Sequence, residues 1–432
     1  MLIIYILFII VLFYAFYDLK KAILAYSSLR LIFHQGICLR YESPNITFDF
    51  AMCLAFWAIS LMKKPKIQTI IPNKNGYCAL FVSYFIAIIT SHYSLTKSVP
   101  YMMGTIVTLL FSILFYQNLI SWKDYRKYFN VLFIVMIAFT FYGTYEYLTQ
   151  SNPLVEYERS ILPEEFYAGR IYVSGQLRLN SIRCQSLASI SISFGVICAL
   201  WFMYVSAVYS SIKNRSKRML VYITVVLGLI SGCYYSGAKT PFIYIMTYFG
   251  LFIMFGKIKL IYKLIFAFII IFGLYSFALQ IMDFYMSIVD SSKSSFEGSD
   301  IIMRLGQFQA VLKVVGENLL WGLGARGVAY AQEINPLILG AESIWFQLYI
   351  EQGFIGIFCY VFFWISLYKM AKILEDVGNR RKLFFMIVAW LATNTVSSLP
   401  GLDTSIFVCF YYSLLFYYKS KENNSLSKQL LL

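Results

Sequence analysis

Chemistry in this chain has to rest on carboxylates and cations. Only two histidines, His34 and His92, occur in 432 residues, and the eight cysteines include no CxxC pair. A histidine metal centre, a Ser-His-Asp arrangement, a zinc site and a disulfide scaffold all lack material, so neither metal nor cofactor is expected. The charged residues worth weighing stand at the edges of apolar runs: Arg178 and Arg183 ahead of one, Lys239 beside Pro241 ahead of another, Arg304 at the head of a periodic segment, and Glu342 ahead of a third run. An arginine presents a planar fork of donors that matches phosphate, whereas lysine carries the charge without the fork. A carboxylate at a membrane boundary becomes a better base as water is withdrawn from it. Each residue also has a plain reading. Arginine is common where a span meets water, Lys239 can snorkel to the interface, Arg304 can end a solvated helix, and Glu342 can pair with a loop arginine.

The elements that must position these residues are membrane spans. The chain is 60% hydrophobic and only 13% charged, against roughly 25% charged in a soluble domain. Its apolar runs repeatedly approach the ~20 residues that cross a bilayer as a helix. The composition predicts an all-α, polytopic integral membrane bundle, one domain over residues 1–432. Spans are expected at 2–17, 47–62, 77–91, 101–120, 128–148, 185–209, 219–236, 241–256, 264–282, 343–368, 383–399 and 404–418. The first lacks a basic leader and a small-residue cleavage site, so it reads as a retained anchor.

Charge fixes the expected orientation. The net charge of +15 would suggest nucleic acid in a soluble protein, but most Lys and Arg cluster in alternate connections, as at Lys63 to Lys74, Lys123 to Lys127, Lys213 to Arg218 and Lys369 to Lys382. Lysine and arginine accumulate in cytoplasmic connections, so membrane orientation explains the charge and no nucleic-acid partner is expected. Twelve spans then place both termini in the cytoplasm and two long polar segments, 149–183 and 283–341, outside. One stretch resists this scheme. Residues 22–39 are apolar enough to span but carry Arg30 and His34, and an arginine at the bilayer centre costs ~2.5 kcal/mol or more. An interfacial or re-entrant segment is the expectation there, at the cost of leaving Lys20 and Lys21 outside; if the segment spans, the count is thirteen and the N-terminus moves outside.

The second long loop has internal order. Leu305, Phe308, Leu312, Val315 and Leu319 recur at spacings of three and four, which predicts a helix with one apolar face lying along the outer interface. It runs into WGLGARG, where Gly322, Gly324 and Gly327 permit a tight turn or a close backbone approach. Glu351 falls about two turns inside the next span, a position that requires a partner or a cavity. Tyr142, Tyr145 and Tyr147 at the end of the fifth span read as an interfacial aromatic belt, with sugar stacking as the alternative.

Four segments, SGQLRLNSIRCQSLASISISFG, YSGAKTP, RLGQFQAVLKVVGENLLWGLGARG and AESIWFQLYIEQGFIG, occur in this order between Ser174 and Gly356. In order and in setting they resemble O-antigen polymerases (Wzy) and the related O-antigen ligases. The resemblance implies a bacterial cytoplasmic-membrane enzyme that lengthens or transfers glycans carried on undecaprenyl pyrophosphate, among membrane lipids and alongside chain-length regulator and flippase proteins. It implies diphosphate binding by Arg178, with Arg183 a second candidate, and by Arg304. Lys239 stands where the family commonly has arginine, which puts its phosphate role in doubt. Glu342 stands where the ligases usually have histidine and polymerases a Glu-Ser or Glu-Asn pair; this departure favours a polymerase with Glu342 as base. The alternatives are a ligase or, from another class, a lipid-linked oligosaccharide flippase or transporter. Transporters often carry repeated halves, and no repeat is apparent.

Overall fold

A computed structural model describes residues 2–32, 37–40, 46–63, 71–161, 177–178, 181–188, 190–256, 301–336, 338, 343–399 and 401–429. Helices dominate because each apolar run satisfies its own backbone hydrogen bonds, as lipid demands. They are α1 Leu2–Tyr17, α2 Leu19–Leu29, α3 Phe48–Lys63, α4 Lys74–Ile89, α5 Leu95–Asn118, α6 Trp122–Thr149, α7 Pro153–Ile161 and α8 Ser191–Val208. They continue with α9 Arg215–Leu229, α10 Thr240–Phe255, α11 Ile301–Val315, α12 Gly327–Ile334, α13 Ile344–Met370, α14 Val377–Val396 and α15 Leu402–Gln429. Two short antiparallel hairpins interrupt them, β1 Cys38–Arg40 with β2 Ile46–Thr47 and β3 Leu177–Arg178 with β4 Ser181–Ile182. Among the described residues five helical stretches are long and apolar enough to cross a membrane, and α1, α4 and α10 are apolar but shorter. Large apolar side chains such as Phe13, Phe85, Ile134, Met246 and Phe358 face outward, as lipid-facing positions should. The expected ninth span, 264–282, lies outside the described residues.

The basic connections gather at one end of the bundle. Lys20 pairs with Asp124 at 2.6 Å, and Lys63 donates to the Phe16 carbonyl at the end of α1. Ser211 meets Tyr417 at 2.6 Å, Glu422 accepts the amides of Glu375 and Asp376, and Arg381 donates to the Phe255 carbonyl. The ends of α1, α3, α8, α10 and α15 thus share a face with the starts of α2, α6 and α14.

The described residues of 22–39 enter the bundle, as a re-entrant segment and a span both require. The α2 helix leaves the basic end, Arg30 lies beside Thr108 of α5 and Ser405 of α15, and Leu39 accepts a hydrogen bond from Tyr5 at the start of α1. The 11-residue α2 thus carries the chain from the basic end into the bundle, and Leu39 stands beside α1 eleven residues ahead of Phe16; His34 is outside the described residues. Arg30 is tolerated because it is compensated: Nε and Nη2 donate to the two Asp49 carboxylate oxygens at 2.7 and 2.9 Å, and Nη1 donates to Ser405 at 2.8 Å. Asp49 itself occupies the first turn of α3, where the helix dipole favours negative charge.

The predicted loop helix is present as α11, but its apolar face points away from the protein. Leu305, Phe308, Leu312 and Leu319 are exposed, while Gln307, Ala310, Val311 and Val315 are buried. A helix of this kind presents its hydrophobic stripe to the membrane interface. The core beneath it instead comprises Val311, Val315, Leu323, Ala331, Tyr349 and Ile350.

Candidate functional site

The end of α14 collects most of the segments singled out in the sequence. Arg304 donates from Nη2 to the Val396 carbonyl at 2.8 Å and from Nη1, more weakly, to that of Thr395 at 3.4 Å, a cation on the negative end of a helix. Thr240, next to Lys239, meets Ser397 at 2.6 Å. Ser343, next to Glu342, approaches the Asn394 carbonyl at 3.4 Å, and the Trp345 indole donates to Thr395 at 3.0 Å. Ser398 donates to Gln347 at 2.6 Å. Because α14 begins at the basic end, this cluster lies at the opposite end.

The close of the first long loop is tied to the same region. After the π-helical segment Ile230–Tyr235 the chain turns at Gly237 (φ 58°) into α10. Arg183 Nε donates to the Ser236 carbonyl at 3.2 Å, and the Cys184 amide donates to that of Tyr235 at 3.0 Å. Glu146, 2% exposed, accepts the amides of Gln185 at 3.1 Å and Ser186 at 2.6 Å. Asn152 bonds the Ser186 carbonyl, and its own side-chain oxygen accepts from Tyr142. Tyr147 stacks on Tyr235 with centroids 3.6 Å apart. Two of the three tyrosines therefore serve this junction. Arg183, the Lys239 turn and Arg304 are brought to one neighbourhood. Arg178 is placed in the β3–β4 hairpin, opposite Ser181; its side chain and the whole of Glu342 lie outside the described residues.

The WGLGARG segment is inserted into a break in a membrane helix. Within α13, Gly353 adopts φ 61° and ψ −155°, a region open essentially to glycine alone. The freed amides of Phe354 and Ile355 donate to the carbonyls of Leu319 and Leu320 at 2.9 and 3.2 Å, and the Ile350 carbonyl accepts from Leu323 at 2.6 Å. A Cβ on Gly353 would lie 2.4 Å from the Leu320 backbone, and one on Gly322 2.6 Å from the Ile350 oxygen. The loop thus replaces the hydrogen bonds that the broken helix lacks. It is also held to α4, whose Ala87 carbonyl accepts from Ala325 at 2.7 Å.

Glu351 finds both the partners and the cavity that its position required. Its side chain accepts from Tyr101 at 2.9 Å and lies close to the amides of Arg326 and Val328 at the start of α12. Tyr101 in turn accepts from Gln347, which links it to Ser398 beside the α14 cluster. Tyr101, Gln347, Glu351 and Thr404 line a cavity of about 40 Å³, room for a few waters. Arg326 is left at φ 64°, a left-handed conformation that costs a non-glycine residue roughly 1–2 kcal/mol.

Three carboxylate positions thus matter here, and two escaped the sequence reading. Glu146 and Asp403, which accepts from Ser193 at 3.2 Å, could have been flagged as charges inside apolar runs; their partners could not.

Residues 223–361 match the family model described as O-antigen ligase. This stretch covers the π-helical turn, α10, the second long loop and the first part of α13. A search of curated proteins gave no match. The match spans about a third of the chain, and over that third the sequence is similar to the O-antigen ligase family.

Proposed function

We propose that the chain is a polysaccharide polymerase of the bacterial cytoplasmic membrane, which moves a growing glycan from undecaprenyl pyrophosphate onto the next lipid-linked repeat unit. The observation that carries this reading is the convergence of the Lys239–Thr240 turn, Arg304 and Ser343 on the end of α14, with Arg183 bonded to the Ser236 carbonyl just ahead of that turn. These residues come from four separate motif segments and meet at the end opposite the basic connections. The family match over 223–361 supports the same class.

In this mechanism Glu342 removes the proton of the acceptor hydroxyl as that oxygen bonds to the anomeric carbon of the donor sugar. The bond from that carbon to the pyrophosphate breaks, and the electron pair leaves with the pyrophosphate. Arg178 and Arg304 hold the leaving group, with Arg183 and Lys239 adding positive charge; such charge counts for most in a site from which water is partly excluded. The two long loops face the extracytoplasmic side, where lipid-linked repeats arrive from a flippase and where a chain-length regulator would act.

A ligase that attaches finished glycan to another acceptor is the second reading, favoured by the family model's own description. Glu342, where ligases usually carry histidine, weighs against it. Deleting the gene and analysing surface glycan with lipid-linked intermediates separates the classes. A polymerase leaves acceptors with at most one repeat. Long polymer retained on its lipid carrier would identify a ligase, and repeats confined to the inner leaflet a flippase.

A further inference from the structure

The Arg326 guanidinium is unclaimed. Among the described residues it takes part in no hydrogen bond or ion pair, and its one recorded contact is with the face of Tyr93, 5.3 Å from the ring centroid. The Lys97 ammonium lies near the same ring at 5.9 Å, and among the described residues that ammonium makes no hydrogen bond or ion pair. The ring is fixed from two directions: Tyr93 donates to Glu333 at 2.9 Å and packs edge-on against Tyr330, which stacks on His92. Arg326 is only half-buried and Lys97 is exposed, so both are open to a ligand.

The backbone at Arg326 argues for selection of the side chain. Its φ of 64° suits glycine, and glycines already occupy positions 322, 324 and 327 of the same turn. An arginine kept in a conformation that glycine adopts without strain is a local rule broken, and such breaks concentrate at functional sites. The Glu351 carboxylate lies beneath this turn, close to the amides of Arg326 and Val328.

We propose that Arg326 and Lys97, gathered around Tyr93, form an oxyanion subsite at the end of the bundle opposite the basic connections. Its ligand is a phosphate or carboxylate group borne by the glycan substrate. That last identification rests on the polymerase reading; the anion subsite itself does not. Two sources share this chemistry, the diphosphate of the lipid carrier and an acidic sugar of the repeat unit.

The test uses the full chain in nanodiscs, with farnesyl diphosphate, a carrier-free glucuronate-bearing tetrasaccharide and a neutral tetrasaccharide as probes. Arg326→Gly should weaken binding of at least one anionic probe tenfold or more while its thermal midpoint stays equal to or above wild type, because the strain is relieved. Arg326→Asn, which also tolerates this backbone, should behave alike, Arg326→Lys should lose less, and Lys97→Ala should weaken the same probe. Loss restricted to the diphosphate assigns the subsite to the carrier, and loss restricted to the tetrasaccharide assigns it to an acidic sugar. Wild-type affinity in Arg326→Gly, or no binding of either anion to the unmodified chain, overturns the proposal. Failure of the polymerase reading is registered separately, by intact polymer in the deletion strain.

Discussion

Replacing Gly353 by alanine tests whether the second long loop and the broken α13 helix form one structural unit. The substitution acts twice. The backbone at φ 61° and ψ −155° costs a residue with a Cβ roughly 1–3 kcal/mol. The new methyl would also lie 2.4 Å from the Leu320 carbonyl group, so the loop must withdraw and the Phe354 and Ile355 amides lose their acceptors. Two buried hydrogen bonds lost in this way cost about 1 kcal/mol each, and more if the amides stay dry. The expected total is about 3–5 kcal/mol. Gly104→Ala is the control, because in α5 its Cβ would meet nothing within 4 Å and a helical alanine gains up to about 1 kcal/mol over glycine. Thermal unfolding in detergent should show a lower midpoint for Gly353→Ala alone. Hydrogen exchange should show lost protection at Leu323, Phe354 and Ile355. Unchanged protection at those three amides would refute the account of the loop as the missing part of the helix.

Asp49→Asn or Arg30→Met leaves a buried charge unpaired and should destabilise by about 3–5 kcal/mol, whereas the double variant Arg30→Met/Asp49→Leu should recover most of that loss; equal unfolding midpoints for the single and double variants would contradict the pairing. Glu342→Gln keeps size but removes basicity, so chain extension should stop at normal protein abundance; wild-type polymer length would eliminate the base assignment. Arg178→Lys retains charge without the planar fork and should be impaired less than Arg178→Ala, read as polymer length on gels. Reporter fusions after Arg170 and Gly327 should report an extracytoplasmic location and one after Arg218 the cytoplasm, and a tag ahead of Tyr5 should report the cytoplasm if residues 22–39 are re-entrant. An extracytoplasmic signal from that tag would establish thirteen spans instead of twelve.

Hydrophobic patterning located five of the helices to within three residues at each end. The expected 47–62 became Phe48–Lys63, and 343–368 became Ile344–Met370. Lipid makes this possible, since a spanning helix closes its hydrogen bonds within its own segment and the boundary is set by local composition. The loop helix was equally legible as α11, and so was the motif order. Its stripe faces outward as expected at Leu305, Phe308 and Leu312, but that Val315 of the same stripe is buried required the structure, because periodicity reports that a face exists without reporting what lies against it.

By itself, the sequence determined the class of protein, the sites of its helices, the clustering of its basic connections and the motif segments from which a site would be built. Only the tertiary structure decided how buried charge is compensated and where those segments meet. Arg30 looked too costly to cross a membrane because Asp49, Thr108 and Ser405 lie 19, 78 and 375 residues away. Glu351 depends on Tyr101, 250 residues distant. Helix formation is a short-range balance of hydrogen bonding and burial, readable from neighbours in the chain. Charge compensation and site assembly are long-range, and the partners become known only when the helices have packed.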